Sequence, residues 1–280
     1  MIYLGCAGWN FKEWKDIFYP KTMTPNNWIL SYSKNFNYLE INETYDKIWT
    51  KEEFFKLAEK TEFKLKIGFR AHKTISHLNI NKSSVSENLT AAKHAVSKLE
   101  DLHNERWFGP VIIDFPYSFV FNNSNFQKIK AIIECFGNYK KLIEFQHKSW
   151  INEEVNVFLS ETNSGICLRD VPKFENLADD NNFLITSDFS YIKFYGRNSE
   201  NWWQPLTEEE KTNYLYNAKT LNTWVKNIHL KLLPNIKDLY LVFCNIKNCY
   251  AIENARYLRK KFAVTPALTS DQLELPLFKM

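Results

Sequence analysis

Three features of the sequence predict an α/β protein built as a single (β/α)8 TIM-type barrel with a parallel sheet. Eight short apolar runs rich in Val, Ile, Leu, Phe and Tyr recur along the chain, and most of them end in charged or amide residues. The stretches between them read mainly as helices or substantial connections. A chain of 280 residues with 45% hydrophobic content matches one barrel of roughly 250 residues, with little left over. Strand–helix alternation repeated eight times closes most simply into a parallel barrel. The barrel is expected to occupy residues 1–264, followed by a tail over 265–280.

The runs are Ile2–Trp9, Tyr38–Thr44, Phe63–Ala71, Pro110–Pro116, Lys141–His147, Ile166–Asp170, Tyr191–Arg197 and Leu239–Asn245. After the second, Thr50 precedes Lys51-Glu-Glu53 and the apolar Phe54, Phe55, Leu57 and Ala58, a capping-box spacing that opens a helix. Ser84–His103 carries Leu89, Ala92, Ala95, Val96, Leu99 and Leu102 at helical spacing. The connection 171–188 holds Pro172 and Asp179-Asp-Asn-Asn182, so any helix there must be short. Thr207-Glu-Glu-Glu210 opens a long helical segment through about Leu232, with acidic residues at its positive end. Asn248–Phe262 closes the series, with Ala251, Ala255 and Leu258 inward and Arg256, Arg259, Lys260 and Lys261 in its late turns.

Strand parity carries the functional signal. Glu40, Asn42 and Thr44 share one face, opposite Leu39 and Ile41; Lys64, Lys66, Gly68 and Arg70 lie opposite Phe63, Leu65, Ile67 and Phe69. Glu144 and Gln146 alternate with Ile143 and Phe145, and Lys193, Tyr195 and Arg197 with Ile192 and Phe194. Helical spacers cover the apolar faces, so the polar faces point into the barrel. Charges there must be paired, because an isolated buried charge costs several kcal/mol. Glu40 and Glu144 are therefore expected near Arg70, Lys193 or Arg197, at the strand ends where barrel chemistry occurs. The competing reading is a set of ion pairs that plugs the barrel without turnover.

Composition narrows the function. A net charge of +4 is mildly basic and decides little about nucleic acid. Neither G-x-G-x-x-G nor G-x-x-x-x-G-K-[ST] occurs, so a dinucleotide or nucleoside triphosphate cofactor is not expected. The 5 cysteines form no C-x-x-C pair and mostly sit in apolar runs, which fits a reducing, cytoplasmic location. No apolar stretch reaches the length of about 18 residues that a membrane span requires, so no membrane partner is expected.

Gly5-Cys-Ala-Gly-Trp9, Trp14, Phe18-Tyr-Pro20, Glu40-Ile-Asn42, Thr44-Tyr45, Arg70, Ser76-His77, Glu144-Phe-Gln-His147 and Ser149-Trp150 occur in this order. Asp170-Val-Pro172, Tyr191–Arg197, Phe243-Cys-Asn245 and Glu253-Asn-Ala255 follow. Together they resemble the YecE-like family, known as domain of unknown function seventy-two, over about Ile2 to Phe262. The resemblance implies a TIM-type barrel with these motifs at its mouth, and no reaction, since the family has no established activity. Five positions depart from the family's usual residues: Gln146 and Lys193 stand in place of Arg, Tyr195 of His, Asp114 of Gln and Cys244 of Asn. The first and third remove a cation or an imidazole base, which leaves open an altered or lost activity.

The leading expectation is a hydrolase or lyase acting on a phosphorylated or sugar-like substrate, nucleic acid included. Glu40, Glu144, His77 and His147 are the candidate acid–base groups, and Arg70, Lys193 and Arg197 would hold an anion. Trp9, Asn42, Asp170, Tyr195 and Asn245 complete the candidate substrate contacts, and Trp9, Trp202 and Trp203 offer stacking surfaces or plain packing. No cofactor is predicted. A divalent metal on His77, His147, Glu144 and Asp170 is the alternative, although no H-E-x-x-H or other local ligand pair anchors it. Two further readings are a non-catalytic protein that binds a small anion and a DNA-repair accessory tethered to the sliding clamp. The second rests on the tail: Pro266–Asp271 reads as a linker and Gln272-Leu-Glu-Leu-Pro-Leu-Phe278 resembles a clamp-binding peptide. Gln272 would be its polar anchor and Leu275, Leu277 and Phe278 its pocket fillers; fold-back of these residues against the barrel bottom is the alternative.

Overall fold

Strands β1 (Ile2–Ala7), β2 (Tyr38–Ile41), β3 (Lys66–Arg70), β4 (Phe108–Phe115), β5 (Lys141–Phe145), β6 (Gly165–Asp170), β7 (Phe189–Phe194) and β8 (Asp238–Phe243) pair in chain order, and β8 returns to β1. Every pairing is parallel, so the sheet is the closed (β/α)8 barrel. The computed structural model describes residues 1–268. The tail residues Gln272, Leu275, Leu277 and Phe278 lie outside the described residues. Pro266 and its neighbours are bonded rather than loose, since the amides of Ala267 and Leu268 donate to the carbonyls of Phe36 and Ser33. Among the described residues, no helix is long and apolar enough to cross a membrane.

Helices α1 (Trp28–Ser33), α2 (Lys51–Lys60), α3 (Lys73–Ser76), α4 (Val85–Ser97), α5 (Asn123–Cys135), α6 (Glu153–Glu161), α7 (Glu208–Lys211), α8 (Ala218–Asn227) and α9 (Tyr250–Phe262) connect the strands. Side chains that satisfy backbone N–H groups start most of the long ones. Thr50 with Glu53 and Ser84 with Glu87 form full capping boxes, and Asn122, Asn152 and Asn217 cap α5, α6 and α8.

The long helix expected from Thr207 to Leu232 is broken. A four-residue turn, α7, is followed by an extended crossing through Tyr214 and Tyr216 before Asn217 opens α8. The break exists because Tyr216 is pulled into the barrel wall, where its hydroxyl bonds Gly196 and Asp170. The strands also end earlier than the apolar runs. Asn42 and Thr44 fall at a 3-10 turn over Glu43–Tyr45, and Tyr195 and Arg197 lie beyond β7.

The main hydrophobic core fills the space between sheet and helices, and a second, smaller one fills the barrel itself. The inner core holds Ala7, Tyr38, Ile112, Leu142, Cys167, Phe189, Tyr191, Tyr240, Val242 and Cys244, the inward alternate residues of seven strands. Gly68 makes room for it: a Cβ there would come within 1.9 Å of the Tyr38 hydroxyl. Polar inward residues follow on the carboxyl side of this apolar plug.

Candidate functional site

The alternation read from the sequence brings Glu40 and Glu144 together on Lys193. The ammonium donates to Glu40 Oε1 at 2.9 Å and Glu144 Oε2 at 3.0 Å. Tyr191 donates its hydroxyl to the other oxygen of Glu40 and shares a 3.1 Å hydrogen bond with Tyr38. Glu144 Oε1 also accepts from Arg169 Nε at 2.9 Å and from the Tyr195 hydroxyl at 2.7 Å. Glu40 is sealed beneath Lys193, with no exposed side chain. It therefore reaches the mouth only through that lysine.

Arg70 does not join this network as expected; its guanidinium forks onto Asp114, Nε to Oδ1 at 2.8 Å and Nη2 to Oδ2 at 2.5 Å. The Tyr45 ring covers the guanidinium at 3.8 Å. His77 Nε2 lies 3.5 Å from Asp114 Oδ2, and its Nδ1 lies 3.0 Å from Ser76 Oγ. The order Ser76–His77–Asp114 is not a nucleophilic triad, because Ser76 is fully buried.

A cavity of about 280 Å³ opens above these groups. Trp9, Asn42, Arg70, Asp114, Gln146, Arg169, Lys193, Tyr195 and Cys244 line its strand side, and Trp202, Glu209, Lys211 and Thr212 from the connection after β7 form a wall. The sequence reading missed Arg169 altogether, noted Asp114 only as a family departure, and gave Gln146 its inward parity without naming it a site residue. Four candidates lie elsewhere. Asp170 takes the outward parity and accepts from Arg197, Tyr216 and Trp224. Gly196, at φ +95°, turns the chain after β7 and sends Arg197 to Asp170 rather than to the acidic pair. Asn245 donates to the Tyr214 carbonyl and to Asn254, fixing the crossing before α8. His147 caps the turn that follows β5, its Nδ1 accepting from the Ser149 amide at 3.2 Å. His77, His147, Glu144 and Asp170 do not form one donor set, and among the described residues no group of three or more His, Cys, Asp or Glu is placed to hold a metal ion.

Burial and partners set the protonation states. Burial pushes the Glu144 carboxyl up, but Lys193 and Arg169 outweigh it and hold the group below its ordinary value. Asp114 is likewise held down, burial being overcome by Arg70. Burial of Lys193 is overcome by Glu144 and Glu40, which raise it well above normal. Burial, then Glu144, raises Tyr195, and burial raises the Cys244 thiol, so both stay protonated. His77 and His147 are pushed down by burial and are neutral at pH 7.

These shifts fix a pH dependence. A depressed histidine or carboxyl binds protons less well folded than unfolded, so its stabilisation is present above the unfolded pKa and lost as pH falls. Stability is expected to decline from pH 6.5, the ordinary histidine value, and more steeply below the ordinary carboxyl values of 4.5 and 3.8. Glu13 and Glu43, raised by burial, act in the opposite sense but are only partly buried. Urea unfolding at pH 7, 5.5 and 4 checks this; a free energy that is flat or rising towards pH 4 contradicts it.

Residues 3–275 match the family model described as protein of unknown function DUF72. The chain belongs to the DUF72 family. Among solved structures, it is similar to a DUF72 family protein of Thermotoga maritima MSB8, with 26% identity and a TM-score of 0.83 over 94% of this chain and 100% of that one. A DUF72 family protein of Enterococcus faecalis V583 shares the fold at 19% identity and a TM-score of 0.76, over 94% and 96% of the two chains. No curated protein matches the chain. Membership in DUF72 names the barrel and leaves the chemistry to be argued from the mouth of this protein.

Proposed function

We propose that the mouth binds a small phosphorylated or sugar-like substrate and acts on it as a hydrolase or lyase. One observation carries this reading: Arg70, Arg169 and Lys193 all border one cavity, each already oriented by a carboxylate. Arg70 spends Nε and Nη2 on Asp114, Arg169 spends Nε and Nη1 on Glu144 and the Ala178 carbonyl, and Lys193 spends two of three N–H groups. The N–H groups beyond those bonds supply charge-assisted donors for an anion. Glu40, Glu144 and Asp114 balance these three cations, so affinity comes from short directed hydrogen bonds rather than from net charge. Asn42 and Gln146 suit hydroxyl groups, with Trp9 beside them.

In this reading protonated Lys193 donates to the oxygen that gains charge, and a proton leaving the substrate passes to the Tyr195 oxygen as the Tyr195 hydroxyl gives its own proton to ionised Glu144. Glu40 positions Lys193, and His77 steadies Asp114 under Arg70. The saturation of Glu144 by three donors favours a second reading, a protein that binds the anion without turnover.

Calorimetric titration with inorganic phosphate, ribose 5-phosphate and glucose 6-phosphate tests binding, and phosphorus NMR of the recovered ligand separates turnover from holding. A sugar phosphate should bind, and Arg70→Gln with Asp114→Asn, which keeps the cluster neutral, should weaken it at least about tenfold, the worth of one charge-assisted pair. Absence of binding by all three probes would overturn both readings.

A further inference from the structure

Four consecutive strand exits place aromatic rings beside one another on the mouth face. Tyr117 follows β4, His147 follows β5, Phe174 follows β6, and Trp203 belongs to the connection after β7. Tyr117 lies 4.7 Å from Trp203 and 5.1 Å from His147, and Phe174 lies 5.3 Å from Trp203, as ring centroids. Trp203 nevertheless keeps 47% of its surface exposed, while its neighbour Trp202 is buried at 2%. Trp202 lines the cavity, meets the Tyr195 ring edge-on at 6.3 Å and belongs to the cluster against which Tyr117 and Phe174 pack, so the ledge adjoins the outer side of the cavity wall. Trp9 and Trp202 also border the cavity, but at 8% and 2% exposure they leave far less ring surface open than Trp203.

A single exposed apolar side chain needs no explanation, but an exposed indole braced on its other side by two aromatic rings is a preorganised surface for stacking a planar group. The cavity of about 280 Å³ is small, so a ligand whose charged end occupies it extends onto the ledge if it carries a further ring. We infer that Trp203, braced by Tyr117 and Phe174, is a stacking subsite for the nucleobase of a nucleoside monophosphate. The phosphate or ribose of that ligand would lie among Arg70, Arg169 and Lys193, so the inference rests on the anion-binding reading above.

The experiment compares adenosine monophosphate, ribose 5-phosphate and inorganic phosphate on the full chain and on Trp203→Ala and Trp203→Phe. The monophosphate should bind roughly tenfold more tightly than ribose 5-phosphate, the gain typical of one base stacked on an aromatic ring. Trp203→Ala should erase that difference while leaving ribose 5-phosphate unchanged, and Trp203→Phe should retain most of it. Tryptophan fluorescence should be quenched by the nucleotide and not by the sugar phosphate. Equal affinities for the two ligands, or an alanine variant that weakens both alike, would refute the stacking subsite and leave the anion site standing. Failure of all three ligands to bind would remove both.

Discussion

Lys193→Met is expected to destabilise the protein by about 3–5 kcal/mol, the typical cost of leaving a buried charge without its partner. Lys193 joins two carboxylates from β2 and β5 through hydrogen bonds of 2.9 and 3.0 Å, and all three side chains are at most 5% exposed. Without the ammonium, Glu144 retains Arg169 and Tyr195, whereas Glu40 retains only Tyr191. The acidic pair then takes up a proton to avoid the uncompensated charge. The deficit against the native chain should therefore shrink as pH falls from 8 to 5, because protonation relieves the repulsion in the variant. Two companions locate the effect. Lys193→Arg keeps the charge and should recover most of the stability, and adding Glu40→Gln to Lys193→Met should recover part of it. Urea unfolding followed by tryptophan fluorescence measures all four proteins. A loss below about 1 kcal/mol, with no pH dependence of the deficit, would mean that the network is not coupled through the lysine.

The residues of this network were legible where apolar partners fixed the parity. Leu39 and Ile41 bracket Glu40, Ile143 and Phe145 bracket Glu144, and Ile192 and Phe194 bracket Lys193, so each charged group had one face available. Arg169 was illegible for the opposite reason. It sits beside Asp170 at the end of a near-continuous apolar run, and two adjacent charges must face opposite ways without the run saying which. Pairing settles it: Glu144 needs a second cation inside the barrel, and Trp224 and Tyr216 outside it need an acceptor. Arg197 kept its parity on paper, but Gly196 breaks the strand before it. His147 looked like a base at a strand end, yet a turn that starts there needs an acceptor for the Ser149 amide, and the ring provides it. The wall made by Trp202, Lys211 and Thr212 depends on how a connection folds back, which no alternation records.

The outward acid matters as much to the frame as the inward ones do to the mouth, and removing it gives the second large effect. Asp170→Ala is expected to destabilise the protein by about 3 kcal/mol or more, at about 1–3 kcal/mol for each buried donor left without an acceptor. Asp170 accepts from Arg197 Nε at 2.8 Å and Nη2 at 2.6 Å, from the Tyr216 hydroxyl at 3.0 Å and from Trp224 Nε1. Arg197 has a side chain 41% exposed and would rehydrate cheaply, so the loss comes from Tyr216 and Trp224, buried at 4% exposure each. Tyr216→Phe, which removes one of the two donors, should cost less than half as much. The effect should reach the site, because the carboxylate holds the turn just after Tyr195 in two ways, directly through Arg197 and through the Tyr216 hydroxyl, which accepts from the Gly196 amide at 2.8 Å. Loosening that turn frees the Tyr195 hydroxyl from Glu144, although the substituted residue itself does not border the cavity. Asp170→Ala should therefore weaken sugar phosphate binding even at temperatures where the variant is fully folded, whereas Tyr216→Phe, which leaves the carboxylate in place, should weaken it less. A variant that loses stability but binds as tightly as the native chain would show that the turn after β7 holds Tyr195 without help from Asp170.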